Sequence, residues 1–323
     1  MRALICSSLD GVESLRVGEL PDPELSAGSV RVTVESTGVN FPDLLITRGL
    51  YQDKPPLPFA PGMEISGTVA EVAEDVDGLS PGDRVMGYIG HGGYAEQIVV
   101  SAHHLLPLPA GAPMDEGAAF PIVYGTSYHA LVDRASLQQG ESLLVLGAAG
   151  GVGLSAVQLG AAIGARVIAA VSSDEKEKAV TDAGASSVLR YDREDIRTRL
   201  KELAPDGVDV VYDPVGGATT EPAFRSLAWK GRHLVVGFAA GEIPALPVNL
   251  ALLKGASLVG VFWGRFTETE PRQSRANFDR LIEWWSEGRI RPVVSDVFPL
   301  ERAVEALRRI RDRGAIGKLV VRP

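Results

Sequence analysis

Along the first third of the chain, apolar residues fall at every second position. Val30, Val32 and Val34 alternate with Arg31, Thr33 and Glu35, the period of a strand with one buried face. Residues 65–76 and 94–100 also read as strands. Turn signals separate them at Pro21-Asp22-Pro23, Pro61-Gly62, Pro81-Gly82-Asp83 and Gly92-Gly93. Short strands cut by such turns predict a partly closed barrel or sandwich over residues 1–122. The texture changes near residue 123. Apolar strands at 143–146, 166–171, 208–212, 234–236 and 257–262 follow, with helical stretches at 152–163 and 174–183. Gly164 and Gly184 stand where a left-handed cap would close each helix. Strands alternating with helices predict a parallel sheet with right-handed crossovers, placed at 123–262. Residues 263–323 predict two amphipathic helices and a final strand at 318–321.

Length and charge narrow the class. A chain of 323 residues is too long for one ordinary core and predicts two domains. The net charge of −9 argues against a broad nucleic-acid or anionic-membrane surface, while leaving room for a local phosphate pocket. Cys6 is the only cysteine, so no intramolecular disulfide forms, which fits a cytoplasmic location. No run of about 18 apolar residues predicts a membrane span.

The densest chemical signal is Gly147-Ala148-Ala149-Gly150-Gly151-Val152-Gly153, set between an apolar strand and a helix. It is a variant of the dinucleotide-binding turn, with Ala148 replacing a glycine. Gly150 lets the backbone approach a pyrophosphate, and Gly153 lets the helix pack on the strand. The helix N-terminus adds free N–H donors. An NAD enzyme usually carries a carboxylate at the tip of the next strand. Here the tip reads Val171-Ser172-Ser173, with Lys176 following, which favours a 2′-phosphate and hence NADPH. Two alternatives stay open. Ser172 to Glu175 also reads as a capping box, and Asp174 would serve a ribose if the strand ran longer.

Zinc chemistry finds little support. One cysteine excludes a four-cysteine site, and the five histidines include no His-x3-His pair.

Asn40-Phe41-Pro42-Asp43, Pro61-Gly62-Met63-Glu64, Gly82-Asp83-Arg84-Val85, Gly92-Gly93-Tyr94-Ala95-Glu96, the glycine turn and Gly317-Lys318 occur in one order. Together they resemble the medium-chain dehydrogenases/reductases over essentially the whole chain, most of all the NADPH:quinone oxidoreductase branch that includes the zeta-crystallins. The resemblance implies an α/β architecture: a Rossmann doubly wound parallel sheet (123–262) inserted in a GroES-like β-rich catalytic domain (1–122 plus 263–323), with the active site in the cleft. In zinc alcohol dehydrogenases the equivalents of Asn40 and Met63 are a Cys and a His that bind the metal, so their replacement implies a zinc-independent enzyme. The resemblance further implies that Ala149, Gly150, Gly151 and Val152 hold the pyrophosphate and that Ser172, Lys176 and Tyr191 surround the 2′-phosphate. Asn40, Thr126, Gly237, Phe238, Phe262, Trp263 and Lys318 would lie near the rest of the cofactor. Asn40 and Tyr51 would position the acceptor, although Leu45 stands where some quinone reductases have tyrosine. Homodimers pairing the last Rossmann strands, here near 258–262, are also implied.

Without a metal, an unactivated ketone would need another strong donor. No tyrosine here has a lysine four residues later. The expected acceptor is therefore a small-molecule quinone or conjugated carbonyl. An enone or 2-enoyl thioester reductase is the nearest alternative. A non-enzymatic, crystallin-like NADPH-binding protein is the alternative from another class.

Overall fold

Two short strands, β1 (Arg2–Ile5) and β2 (Arg16–Glu19), form an antiparallel ribbon. The valine alternation becomes β3 (Ser29–Gly38), with Val30 and Val32 fully buried. After helix α1 (Phe41–Ile46) come β4 (Glu64–Val72), β5 (Arg84–Tyr88), β6 (Gln97–Ser101), β7 (Leu105–Pro107) and α2 (Met114–Ala118). In this computed structural model of residues 1–323, the chain forms two compact units. Unit 1 is Met1–Ile122 with Pro292–Pro323, and unit 2 is Val123–Arg291.

Unit 2 begins within α3 (Pro121–Tyr128), which widens into a π-type turn through Arg134. Then follow β8 (Ser142–Val145), α4 (Gly151–Ile163), β9 (Arg166–Val171), α5 (Asp174–Asp182), β10 (Ser187–Arg190), α6 (Ile196–Leu203), β11 (Val208–Asp213), α7 (Thr220–Arg225), β12 (Leu227–Val235), α8 (Asn249–Lys254) and β13 (Ser257–Gly260). The six strands are all parallel in the order β10-β9-β8-β11-β12-β13. This is the doubly wound order, whose direction reverses between β8 and β11. Leu143, Leu144 and Val145 are fully buried, as expected of a central strand covered on both faces. Gly164 closes α4 at φ 90°, the left-handed cap expected there.

Two expectations change. The strand expected at 234–236 starts earlier, at Leu227, and β10 carried too short and half-buried a pattern to announce itself. The expected return to the first domain at 263 comes after residue 291. The reason is packing. Helices α9 (Trp263–Thr269) and α10 (Pro271–Ser286) bind to α3 and its extension. The His129 ring stacks on Phe266 with centroids 3.9 Å apart. Asp133 Oδ2 lies 2.8 Å from His129 Nδ1 and accepts from Asn277 Nδ2 at 2.8 Å.

Unit 1 resumes with β14 (Val294–Pro299), α11 (Ala303–Arg311) and β15 (Lys318–Arg322). Its main sheet runs β14-β15-β3-β4-β5-β7, with β6 also paired to β3. β15 is an inner strand, parallel to β14 and antiparallel to β3. Ala303, Ala306 and Leu307 of α11 join Leu4, Ile46, Met63, Phe298 and Leu319 in one buried core.

Candidate active site

Unit 2 holds the candidate nucleotide site, at the strand ends where the winding reverses. Gly147 leaves β8 at φ 57°, and the N–H of Gly150 returns to its carbonyl at 3.1 Å. No side chain caps α4, so the N–H groups of its first turn are left for an anion. The glycines divide their work. A Cβ on Gly153 would stand 2.3 Å from the Gly147 carbonyl oxygen, so the turn itself forbids it. A Cβ on Gly150 would meet nothing nearer than 3.5 Å, so only a ligand would need that space. Ala149 is buried behind the turn, while Gly150, Gly151 and Val152 are half-buried.

The neighbouring loop is organised by Asp213, which the sequence reading passed over. Its Oδ1 accepts from the N–H groups of Val215 and Gly216 at 2.9 and 2.8 Å. Its Oδ2 accepts from the Thr220 hydroxyl at 2.7 Å and lies 3.1 Å from His233 Nε2. Burial opposes the carboxylate charge, yet the His233, Gly216 and Thr220 hydrogen bonds hold the pKa below the usual range. The N–H groups of Ala239 and Ala240 donate to Pro214 and Val215, which docks the segment carrying Gly237 and Phe238 against this loop. A buried acid following Val210, Val211 and Tyr212 at the end of β11 was the available signal. Thr126 is half-buried beside Ser127, whose hydroxyl lies 2.8 Å from both Ser155 Oγ and Tyr212 OH.

At the tip of β9, the cap of α5 is Ser173, whose Oγ accepts from the Lys176 N–H at 3.3 Å. The capping-box alternative for Ser172 is thereby corrected. The Ser172 hydroxyl instead accepts from Lys176 Nζ at 3.4 Å, and Tyr191 is exposed nearby, its N–H bonded to the Val171 carbonyl. Asp174 lies beyond the strand in the first turn of α5, bonded to Arg190. That bond holds its carboxyl below the usual range.

Of the two aromatic neighbours expected near the cofactor, Phe262 is exposed and Trp263 is not. The Trp263 ring packs edge-on to Phe278 and so close to Gly125 that no Cβ would fit there. It is a wall of the unit's core.

Unit 1 contains a buried polar cluster around Asn40. Lys318 Nζ donates to Val39 O, Asn40 Oδ1 and Glu64 Oε1, each at 2.7 Å. Three ammonium protons thus meet three internal oxygens, which fixes Lys318 against Asn40. Asn40 Nδ2 donates to Glu64 Oε1 at 2.9 Å and to Gly38 O at 3.2 Å. Glu64 Oε2 accepts from the Ile122 N–H at 2.8 Å. Asp43 accepts from the Asn40 N–H at 2.8 Å and the Tyr94 hydroxyl at 3.0 Å. Burial nevertheless pushes its pKa up to about 7. Tyr51 is half-buried against the core of this unit, and burial raises its phenol pKa. Met63 is buried in the same core. Glu64 and Asp43 carried a readable signal, since each is an acid inside an otherwise apolar segment.

An uncapped glycine turn at the switch point of a doubly wound sheet, in a chain that also folds a β-rich unit, is the arrangement of a dinucleotide-binding protein. Residues 26–110 match the alcohol dehydrogenase GroES-like domain, and residues 151–284 match the zinc-binding dehydrogenase family. A quinone oxidoreductase-like protein 2 homolog from Nematostella vectensis is 40% identical over 99% of this chain and 88% of its own length. A probable oxidoreductase from Mycobacterium abscessus superposes with a TM-score of 0.91 at 38% identity, covering 100% and 99% of the two chains. The Escherichia coli quinone oxidoreductase complexed with NADPH superposes at 0.92 with 28% identity and full coverage of both. The chain belongs to the medium-chain dehydrogenase/reductase superfamily, in its quinone oxidoreductase branch.

Proposed function

We propose that the protein is a zinc-independent, NADPH-dependent oxidoreductase whose acceptor is a quinone or a similarly activated conjugated carbonyl. The observation that carries the cofactor half is the strand tip. Ser172, joined to Lys176 Nζ, stands where an NAD enzyme has a carboxylate. The Escherichia coli relative crystallised with NADPH supports the same choice.

The fit to a dinucleotide rests on the turn. Space over Gly150 and the uncapped start of α4 suit a pyrophosphate, held by the N–H groups of Gly151 and Val152 with Ala149 behind. Ser172, Lys176 and Tyr191 would take the 2′-phosphate. Thr126, Gly237, Phe238 and Phe262 would contact the remainder. When bound, NADPH supplies a hydride from its nicotinamide ring.

The residues present do not fit zinc. Asn40 Oδ1 already accepts from an ammonium, Glu64 is paired with the same ammonium, and Met63 is a buried thioether. The two polar groups that unit 1 offers are the Asn40 amide oxygen, held fixed by Lys318, and the Tyr51 hydroxyl. The Tyr51 hydroxyl can donate to an acceptor's carbonyl, the Asn40 oxygen can only accept, as from a cofactor hydroxyl or amide, and neither is a strong acid. An acceptor that spreads the incoming charge over its own conjugated framework suits such a site.

The test is steady-state NADPH oxidation with a naphthoquinone, a 2-enal and a simple ketone, with and without a chelator. Turnover of the quinone, unchanged by chelation, is expected. Activity on the enal alone moves the acceptor class to enones. Chelator-sensitive ketone reduction overturns the reading.

The same reading includes a homodimer and a cytoplasmic location. β13 is an edge strand, and Leu258 and Phe262 are 54% exposed along and just after it. Val248 and Leu252 add exposed apolar surface in the preceding segment. An edge of this kind is suited to pairing with a second copy.

A further inference from the structure

We infer that Arg190 sets the cofactor preference without touching the cofactor, by withdrawing the carboxylate of Asp174 from the site that reads the adenine ribose. The inference rests on the NADPH reading above and adds the residue that makes it possible.

The sequence holds an apparent contradiction. The tip of β9 offers Ser172 and Lys176, suited to a 2′-phosphate, yet the next turn carries Asp174, Glu175 and Glu177. A free carboxylate beside a dianionic phosphate repels it, and it accepts hydrogen bonds from an unphosphorylated ribose. Left to themselves, these acids would favour NADH.

Arg190 removes the conflict. It ends β10, in register beside Val171 at the end of β9, so its side chain rises at the strand tip itself. The Arg190 side chain is almost fully buried, at 7% exposure, and it holds an Asp174 side chain that is 87% exposed. Nη1 binds Asp174 Oδ1 and, at 2.9 Å, Glu177 Oε2. Nε and Nη2 grip Asp192 in a two-point fork, each at 2.9 Å. One cation therefore gathers three carboxylates from three positions around the tip. Arg193 adds a second positive charge, 3.7 Å from both Asp174 and Glu177. The planar fork explains why arginine stands here: a lysine would be a single point charge without the fixed directions.

The arrangement also argues against Arg190 as a direct phosphate ligand. Its hydrogen-bonding face is turned to Asp174, Glu177 and Asp192, and little of it reaches solvent. Arg190 is thus a positioning residue. It neutralises the acids and leaves Ser172, Lys176 and Tyr191 as the groups that face the ribose.

The experiment compares dissociation constants for NADPH and NADH, by titration of cofactor fluorescence, in three proteins. These are the wild type, Arg190→Met, and Arg190→Met combined with Asp174→Asn. The ratio of NADH to NADPH constants should fall about tenfold or more in Arg190→Met, because an uncompensated carboxylate now faces the phosphate. Asp174→Asn in that background should restore most of the ratio. If Arg190→Met does not stay folded by its thermal transition, Arg190→Lys carries the test, and a partial fall in the ratio is expected. A normal wild-type ratio with equal weakening of both cofactors in the variant overturns the inference alone. So does a lost preference that Asp174→Asn fails to restore, which would make Arg190 a phosphate ligand. A wild type that holds NADH as tightly as NADPH overturns the cofactor reading and this inference together.

Discussion

Lys318 and Glu64 form an ion pair at 2.7 Å inside unit 1, with 5% and 0% of their side chains exposed. Breaking a buried pair from one side strands a charge. Lys318→Met should therefore destabilise the protein by about 3–5 kcal/mol. Adding Glu64→Gln should recover part of that loss, because the stranded charge is gone. Urea unfolding midpoints of the single and double variants check this. A double variant as unstable as the sum of its singles would count against the pairing.

Asp43 gives stability a pH dependence of unusual sign. In the folded chain, burial raises its pKa to about 7 from the ordinary 3.8, against hydrogen bonds from Asn40 and Tyr94, and its Oδ1 has no hydrogen-bond partner. Between those values the unfolded chain has released the proton and the folded chain keeps it. The folded state binds more protons there, so this group's contribution falls as pH rises through the window. Asp43→Asn removes the effect. Relative to wild type it should gain up to about 1.4 kcal/mol per pH unit across that interval. Unfolding curves from about pH 5 to about pH 8 decide the matter, and a constant difference would refute it.

The two glycines of the turn should fail differently. Gly150→Val keeps a backbone of φ −75° and ψ 172° that any residue adopts, and its Cβ meets no close neighbour. The variant should fold with a normal melting transition and bind neither NADPH nor NADH. Gly153→Val should fold poorly, since its Cβ would fall within 2.3 Å of a carbonyl oxygen. Normal cofactor affinity in folded Gly150→Val would remove the pyrophosphate from this turn.

Lys176→Ala should weaken NADPH by about 1.5–3 kcal/mol, the range for a hydrogen bond to a charged group, and leave NADH nearly unchanged. Titration of both cofactors provides the check. An equal loss for both would show that the lysine supports α5 and not the 2′-phosphate.

Leu258→Asp places a charge on the exposed edge of unit 2. If a second copy pairs there, sedimentation should show a shift from dimer to monomer, with cofactor affinity retained. A dimer that survives the change would move the interface elsewhere.

Much of this was readable in the chain. The valine alternation marked β3, and the glycine turn with Gly164 marked both ends of α4. What escaped were relations between distant residues. Glu64 and Lys318 sit in separate short motifs, and periodicity says nothing about their meeting. The boundary after 262 was misplaced because amphipathic helices reveal that they have a buried face, without revealing against what; here Phe266 and Asn277 answer to His129 and Asp133. Ser172 and Ser173 are chemically alike, so only the backbone at Ser173 separates the cap from the residue facing outward.

The inner position of β15 has a consequence for biosynthesis. The N–H of Val39 bonds to the carbonyl of Leu319, and Asn40 takes its orientation from Lys318. Every residue of unit 2 leaves the ribosome before β15 does. The nucleotide-binding unit therefore has all its strands available while β3 still waits for one of its neighbours. Until that strand arrives, Glu64 and Asn40 lack the Lys318 ammonium, so the nascent chain carries a complete Rossmann unit before its buried Asn40–Glu64–Lys318 cluster can exist.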